Sequence, residues 1–275
     1  MPQYDASDVL QDRLNTVNIP LVIHGLTVNY DSKTVLYSVD FTVPAGSMSV
    51  IVGPNGAGKS TLIKAALGIV PKVSGQVSVF GLPFDDNRHR VAYVPQRASV
   101  DWEFPATAFD VVAMGLYRDL NPFRSLTTEQ RTRVIDCLSQ VGMKDFANRQ
   151  IGRLSGGQQQ RVFIARSLIQ NADLYVLDEP FAGVDAATER ALISVLRSVR
   201  QAGKTVLCVH HDLSTVPEYF DHAMLLNVQA VASGPVADVF TSERLQETYA
   251  GRLAPQQLER IAEGMKTPGS DGLVK

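Results

Sequence analysis

Met48-Ser49-Val50-Ile51-Val52-Gly53-Pro54-Asn55-Gly56-Ala57-Gly58-Lys59-Ser60-Thr61 reads as an apolar strand, a glycine-rich turn and the start of a helix. Residues 53–60 fit G-x-x-x-x-G-K-[ST], and the strand before and helix after are the context that pattern requires. The glycines let backbone N–H groups curl around an anion at a helix N-terminus. Lys59 has the reach for the outer phosphates of a nucleotide, and the Ser60 hydroxyl is placed to bind Mg²⁺. A turn that merely caps a helix would need neither. The stretch predicts a phosphate-binding loop, a feature shared by many functions, so what it serves has to come from other residues.

Working outward, the helix after the loop runs from about Lys59 to Leu67, with Gly68 as its stop. Short β-like runs surround it at Leu21–Ile23, Val35–Val43, Met48–Val52, Gln76–Phe80 and Val91–Val94. From about 97 to 172 the pattern turns helical, with candidates at Ala108–Tyr117, Thr128–Val141 and Gly156–Ile169. Strand and helix then alternate through Leu174–Leu177, Ala187–Arg200 and Thr205–Val209, which argues for a mostly parallel sheet. Ala223–Leu226 and Gln229–Ala232 read as a closing hairpin. The predicted architecture is an α/β core with a helical insertion and an antiparallel β portion.

Two further stretches carry chemistry. In Leu174-Tyr175-Val176-Leu177-Asp178-Glu179 four apolar residues run into two acids, the pattern of a buried parallel strand whose C-terminal edge meets a ligand. Neighbours on an ideal strand point to opposite sides, so the acids take different jobs. Asp178 suits the Mg²⁺ shell, and Glu179 suits orienting and deprotonating a water. Leu154-Ser155-Gly156-Gly157-Gln158 opens a helix. Ser155 and Gln158 fit a capping box, which leaves two consecutive glycines unexplained. Each costs ~1 kcal/mol relative to alanine inside a helix. Close approach of an anion to bare N–H groups would account for them.

Composition narrows the field. With 275 residues the chain makes one large domain or two small ones, and 45% hydrophobic residues can fill a core. A net charge of -2 lacks the basic surplus of a nucleic-acid binder, so no nucleic-acid partner is expected. No apolar run approaches the ~18 residues that cross a bilayer, and the acidic first residues do not resemble a signal peptide. The two cysteines, Cys137 and Cys208, are far apart, which points to a reducing compartment. His210 and His211 are adjacent, but strand neighbours point apart and no ligand-spaced Cys or His follows, so a metal site is not expected there. His222 is expected at the surface.

Together the phosphate loop, the acid pair and the second glycine motif make the sequence resemble the ATP-binding-cassette (ABC) ATPases over roughly residues 20–250. The resemblance implies an α/β P-loop NTPase fold with a RecA-like core, an antiparallel β subdomain and a helical subdomain at about 97–172. It implies a cassette over 19–251, flanked by a polar extension at 1–18 and a flexible tail at 252–275. ATP would be held by Gly53, Pro54, Asn55, Gly56, Ala57, Gly58, Lys59, Ser60 and Thr61, with Tyr30 stacking on adenine. Ser60, Gln96 and Asp178 would serve Mg²⁺; Glu179 and His211 would be catalytic. Ser155, Gly156, Gly157 and Gln158 would cover the γ-phosphate held by a second copy in a head-to-tail dimer, and Asp185 would lie in a loop contacting that copy.

Such an enzyme without a membrane span delivers its work to a partner. One reading is the cytoplasmic, peripheral subunit of an importer whose permease is a separate chain. The other is a soluble ABC ATPase acting in nucleic-acid repair, translation or cluster assembly, which usually calls for tandem cassettes, a coiled-coil insertion or a basic face. A nucleotide-gated scaffold would suit a chain lacking Glu179 or His211, and this chain has both. Val100-Asp101-Trp102 with Phe104-Pro105, Arg149-Gln150-Ile151-Gly152, and Val209-His210-His211-Asp212-Leu213 resemble the ATPases of manganese, iron and zinc uptake systems, with manganese or iron favoured over zinc. The resemblance implies that the ion is selected by an extracytoplasmic binding protein and the permease. Trp102 is read as an aromatic anchor for a permease helix or as part of a local cluster.

Overall fold

The computed structural model describes residues 18–118, 125–251, 253 and 261. The two flanking segments expected from the sequence lie almost wholly outside these residues. The chain divides into two compact units, one formed by 1–88 with 207–275 and the other by 89–206.

In the first unit, β1 (Leu21–Tyr30) pairs antiparallel with β2 (Lys33–Val43) and β4 (Ser74–Ser78). The sequence suggested a strand only to Ile23. The buried positions change parity along β1, from Leu21 and Ile23 to Leu26 and Val28, because the register shifts between Ile23 and Leu26 around Gly25. A bulge of this kind breaks the period-two signal without ending the strand. β3 (Met48–Val52) is buried at every residue and pairs parallel with β8 (His222–Asn227), which pairs antiparallel with β9 (Gln229–Pro235). The phosphate loop leaves β3 and enters α1 (Lys59–Ala66), whose Leu62, Ile63 and Ala66 are buried. A short helix at Phe84–Asn87 is α2.

In the second unit, β5 (Val91–Val94) and β6 (Leu174–Asp178) pair in parallel. Between them lie α3 (Ala108–Ala113), α4 (Thr128–Gln140) and α5 (Gly156–Leu168), which pack on one another inside the region read as helical. Each begins at a reciprocal capping box, from Thr107, Thr127 and Ser155. The helix expected over Ala108–Tyr117 gives way to a tighter turn at Met114–Leu116. Gly115 explains the tightening: a Cβ there would lie 2.5 Å from Arg166 O, so the turn is pressed against α5. α6 (Ala186–Gln201) buries Leu192, Ile193 and Leu196 on one face. β7 (Thr205–Val209) is wholly buried and carries the chain back toward the first unit, where α7 (Val216–Tyr219), α8 (Val236–Val239) and α9 (Ser242–Thr248) follow. Among the described residues no helix is long and apolar enough to cross a membrane.

Candidate nucleotide site

The phosphate loop is shaped by two glycines with strict requirements. Gly58 has φ 94°, and a Cβ on it would lie 2.5 Å from Leu36 Cδ2. A Cβ on Gly53 would lie 2.0 Å from Leu226 O. Gly58 is also the N-cap of α1, where no side chain caps the helix and no acid occupies the first turn. Lys59 is buried, and its Nζ donates to Gly53 O at 2.8 Å and Pro54 O at 2.9 Å. The ammonium therefore lies across the loop's own carbonyls. A helix start of this kind, with a lysine at its mouth, is receptive to an anion. Tyr30 closes β1 beside the tight turn at Asp31 and is 47% exposed, leaving its ring available as a flat face.

In the second unit β6 ends at Asp178, which is fully buried. Glu179 has already left the strand, with φ 53° in the left-handed region. The strand alternation used to separate the two acids thus stops one residue short, and the backbone turn separates them instead. Gln96 Nε2 donates to Glu179 Oε2 at 2.9 Å, so two residues singled out from distant stretches meet. With its NH₂ so engaged, the Gln96 amide presents its oxygen as the end suited to a cation. The Ser60 hydroxyl, the Gln96 amide oxygen and the Asp178 carboxylate are hard oxygen donors, the chemistry Mg²⁺ prefers. Burial, with the Asp178 charge nearby, pushes the Tyr93 phenol well above its usual range.

Ser155 N-caps α5 and Gln158 reaches back to the Ser155 N–H at 2.9 Å. The glycine pair has a packing cause beside the anion argument. A Cβ on Gly156 would meet the Arg97 guanidinium at 3.1 Å, and one on Gly157 would meet Val184 Cγ1 at 3.0 Å. The first turn of α5 thus lies against the 183–185 loop and Arg97. Asp185 serves as N-cap of α6, accepting from Ala187 N, Thr188 N and Thr188 Oγ1. Those bonds, the Thr188 amide's foremost, hold its carboxyl below the usual carboxylate range. Arg97 went unnoticed in the sequence, yet its Nε donates to the buried Gln159 at 3.0 Å and its guanidinium lies over Trp102. Trp102 donates to Arg97 O at 2.9 Å and meets Phe163 edge-on at 5.0 Å. Trp102 is therefore clamped in a local cluster, while its neighbour Phe104 is 56% exposed.

The histidine pair departs from expectation. Both residues follow β7 rather than lie on it, and their rings sit 5.6 Å apart instead of pointing away from each other. His210 is buried beside Phe220, with Nε2 2.8 Å from Thr215 Oγ1. Burial, aided by His211, lowers its pKa to about 4, so it is neutral at physiological pH. His211 lines a cavity of about 250 Å³ with Asp212, Ser214 and Tyr249. His222, expected at the surface, lies in β8 with its Nδ1 buried. Tyr249 was also missed. Burial raises its phenol to about 12, with the Gly53 backbone acting the other way.

A nucleotide-receptive loop at the end of a buried parallel strand, on a mixed sheet with helices, defines a P-loop ATPase. The family model for ABC transporters matches residues 36–182, and the chain belongs to that family. It is similar to the zinc transport system ATP-binding protein TroB of Treponema pallidum, at 53% identity over 84% of this chain and 87% of that one. It is also similar to the manganese transport system ATP-binding protein MntB of Bacillus subtilis, at 51% identity over 90% of this chain and 99% of the relative. Among solved structures, the dimeric ABC transporter cassette MJ0796 matches with TM-score 0.71 and 25% identity, over 78% of this chain and 98% of that chain.

Proposed function

We propose that the chain is the ATP-hydrolysing subunit of a divalent-metal importer, working as a head-to-tail pair at the cytoplasmic face of a separate permease. The cassette spans 19–251, with 97–172 as its helical subdomain. The cargo is manganese, iron or zinc; relatives carrying manganese and zinc in their names support this class. The ion itself meets an extracytoplasmic binding protein and the permease, not this chain.

The roles are those the family resemblance implies, and the local geometry described above supports them. Gly53–Thr61 bind the phosphates, with Lys59 neutralising their charge, and Tyr30 supplies a face for adenine. Ser60, Gln96 and Asp178 hold Mg²⁺, which when bound neutralises charge on the outer phosphates. Glu179 orients the attacking water and takes its proton. His211 steadies the transferring group through its imidazole. Ser155–Gln158 of the second copy cover the γ-phosphate, and Asp185 lies in the loop that meets that copy. The dimeric state of the similar cassette supports the pairing.

The observation that carries hydrolysis is the 2.9 Å bond from Gln96 Nε2 to Glu179 Oε2. It holds the carboxylate in one orientation, as a general base requires. Glu179→Gln is expected to keep ATP binding and lower turnover by about 10²–10⁴-fold. A variant with parental turnover would remove Glu179 from the role. In a strain lacking the gene, uptake of manganese, iron or zinc should fall and return with the parent chain but not with Glu179→Gln. Unchanged uptake of all three ions would exclude the cargo class.

A further inference from the structure

Arg97 directly follows Gln96, whose amide holds Glu179, and it opens the short turn Arg97–Ser99. Its guanidinium lies broadside to the first turn of α5. A Cβ on Gly156 would stand 3.1 Å from Nε, 3.2 Å from Cζ and 3.5 Å from Nη2. Nε donates at 3.0 Å to Oε1 of Gln159, in the same helix. Gln159 is buried, and its own Nε2 donates at 3.1 Å to Ile151 O, in the turn that leads into α5. One side chain thus ties the segment that carries Gln96 to the start of α5, all within the second unit.

Neighbouring contacts fix Arg97 itself. Trp102 Nε1 donates to Arg97 O at 2.9 Å, and the guanidinium stands over the indole, 5.7 Å from the ring centre. A Cβ on Gly152 would lie 2.6 Å from Trp102 O, so the loop also presses on the turn before α5. Local charge does not account for a cation here. A helix N-terminus carries partial positive charge, the first turn of α5 holds no acid, and among the described residues no carboxylate lies within ion-pair distance of Arg97. Shape does account for it: a planar fork can lie flat on bare glycine backbone while it bonds Gln159.

We propose that Arg97 is a positioning residue for ATP hydrolysis, fixing the first turn of α5 relative to Gln96 so that Ser155–Gln158 meet the nucleotide of the second copy in one geometry. Removing its side chain leaves Gln159 Oε1 buried without this donor and Gly156 without its support. The chain's own phosphate loop is untouched. The inference rests on Ser155–Gln158 covering the γ-phosphate of a second copy, so its test carries a separate arm for that reading.

The experiment uses the full chain. Titration calorimetry gives ADP affinity, steady-state kinetics give kcat, and thermal melting gives stability. Size-exclusion chromatography with ATP, in a Glu179→Gln background, gives the protein concentration at which copies pair. Arg97→Ala is expected to leave ADP affinity unchanged, to lower kcat roughly tenfold and to raise the pairing concentration by a similar factor, the order of one charged hydrogen bond lost. Gln159→Met should produce the same losses, and the double variant no more than either, because the two side chains act as one unit. Val134→Ala, in the core of α4, should lower melting at least as far as Arg97→Ala while sparing kcat and pairing. Parental kcat and pairing in Arg97→Ala, beside losses in Ser155→Ala, would overturn the proposal alone. Parental kcat and pairing in Ser155→Ala would overturn the assignment of α5 beneath it. Additive losses in the double variant, or losses of kcat and pairing in Val134→Ala equal to those of Arg97→Ala, would reduce Arg97 to a packing role and also overturn the proposal.

Discussion

His210 is charged in an unfolded chain below its ordinary pKa of about 6.5 but stays neutral in the fold, where its pKa falls to about 4. Between those values the unfolded chain binds more protons, so stability rises with pH across the window. The contribution is fully present above about pH 6.5 and is lost as pH falls toward 4, up to about 3 kcal/mol at a unit shift worth 1.36 kcal/mol. Replacing His210 with Gln should flatten this dependence. Melting followed from about pH 7 to about pH 4.5 checks it; equal slopes for parent and variant would show that the imidazole does not titrate on unfolding. Lys59 makes a second case. Its ammonium rests on Gly53 O and Pro54 O, so Lys59→Ala removes both the loop's internal clasp and its charge for phosphate. Lost ATP binding by calorimetry is the expected result, and a parental ATPase rate would discredit the role.

Whole helices carry the next predictions. The start of α5 does two jobs: Ser155 caps it, and Gly156 and Gly157 give room to Arg97 and Val184. Ser155→Ala should cost about 1 kcal/mol from the lost cap. In a chain of this size that lowers the melting temperature by only about 2–4 °C. Its effect on ATPase turnover should be far larger if, as proposed, the hydroxyl also serves the nucleotide held by the second copy. Losses of similar small size in both would restrict Ser155 to capping. The contacts of the loop before α3 favour the local-cluster reading of Trp102 over the anchor reading. Trp102 is held by Arg97 and Phe163, whereas Phe104 faces outward. Phe104→Ala should therefore lower permease-stimulated ATPase and leave basal ATPase and melting unchanged. Trp102→Ala should lower melting as well. A basal loss in Phe104→Ala equal to the stimulated loss would remove the anchor from Phe104.

For the chain as a whole, the proposed pairing makes turnover depend on a second copy. ATPase activity per chain should rise steeply with protein concentration and then plateau, with Glu179→Gln accumulating as an ATP-bound pair in size-exclusion chromatography. Turnover per chain that is constant over a wide dilution range, with no pair at any concentration, would sink the composite site.

What could be read in advance was whatever is encoded locally. The glycines of 53–58, the Lys59-Ser60 pair, the capping box at Ser155 and the apolar run into Asp178 each act through their own neighbours, so spacing alone carries their meaning. The fully buried strands β3 and β6 were legible for the same reason. What escaped was decided by contacts between distant segments. β1 continues past Gly25 because its partners in β2 and β4 follow the register shift. The two histidine rings approach because β7 ends before them. Trp102 turns inward because Arg97 and Phe163 receive it. Asn227 meets Thr248 because α9 packs beside β8. Periodicity and motif spacing describe a residue's neighbours along the chain, while hydrogen bonds and burial depend on neighbours in space, and those exist only once the strands have paired.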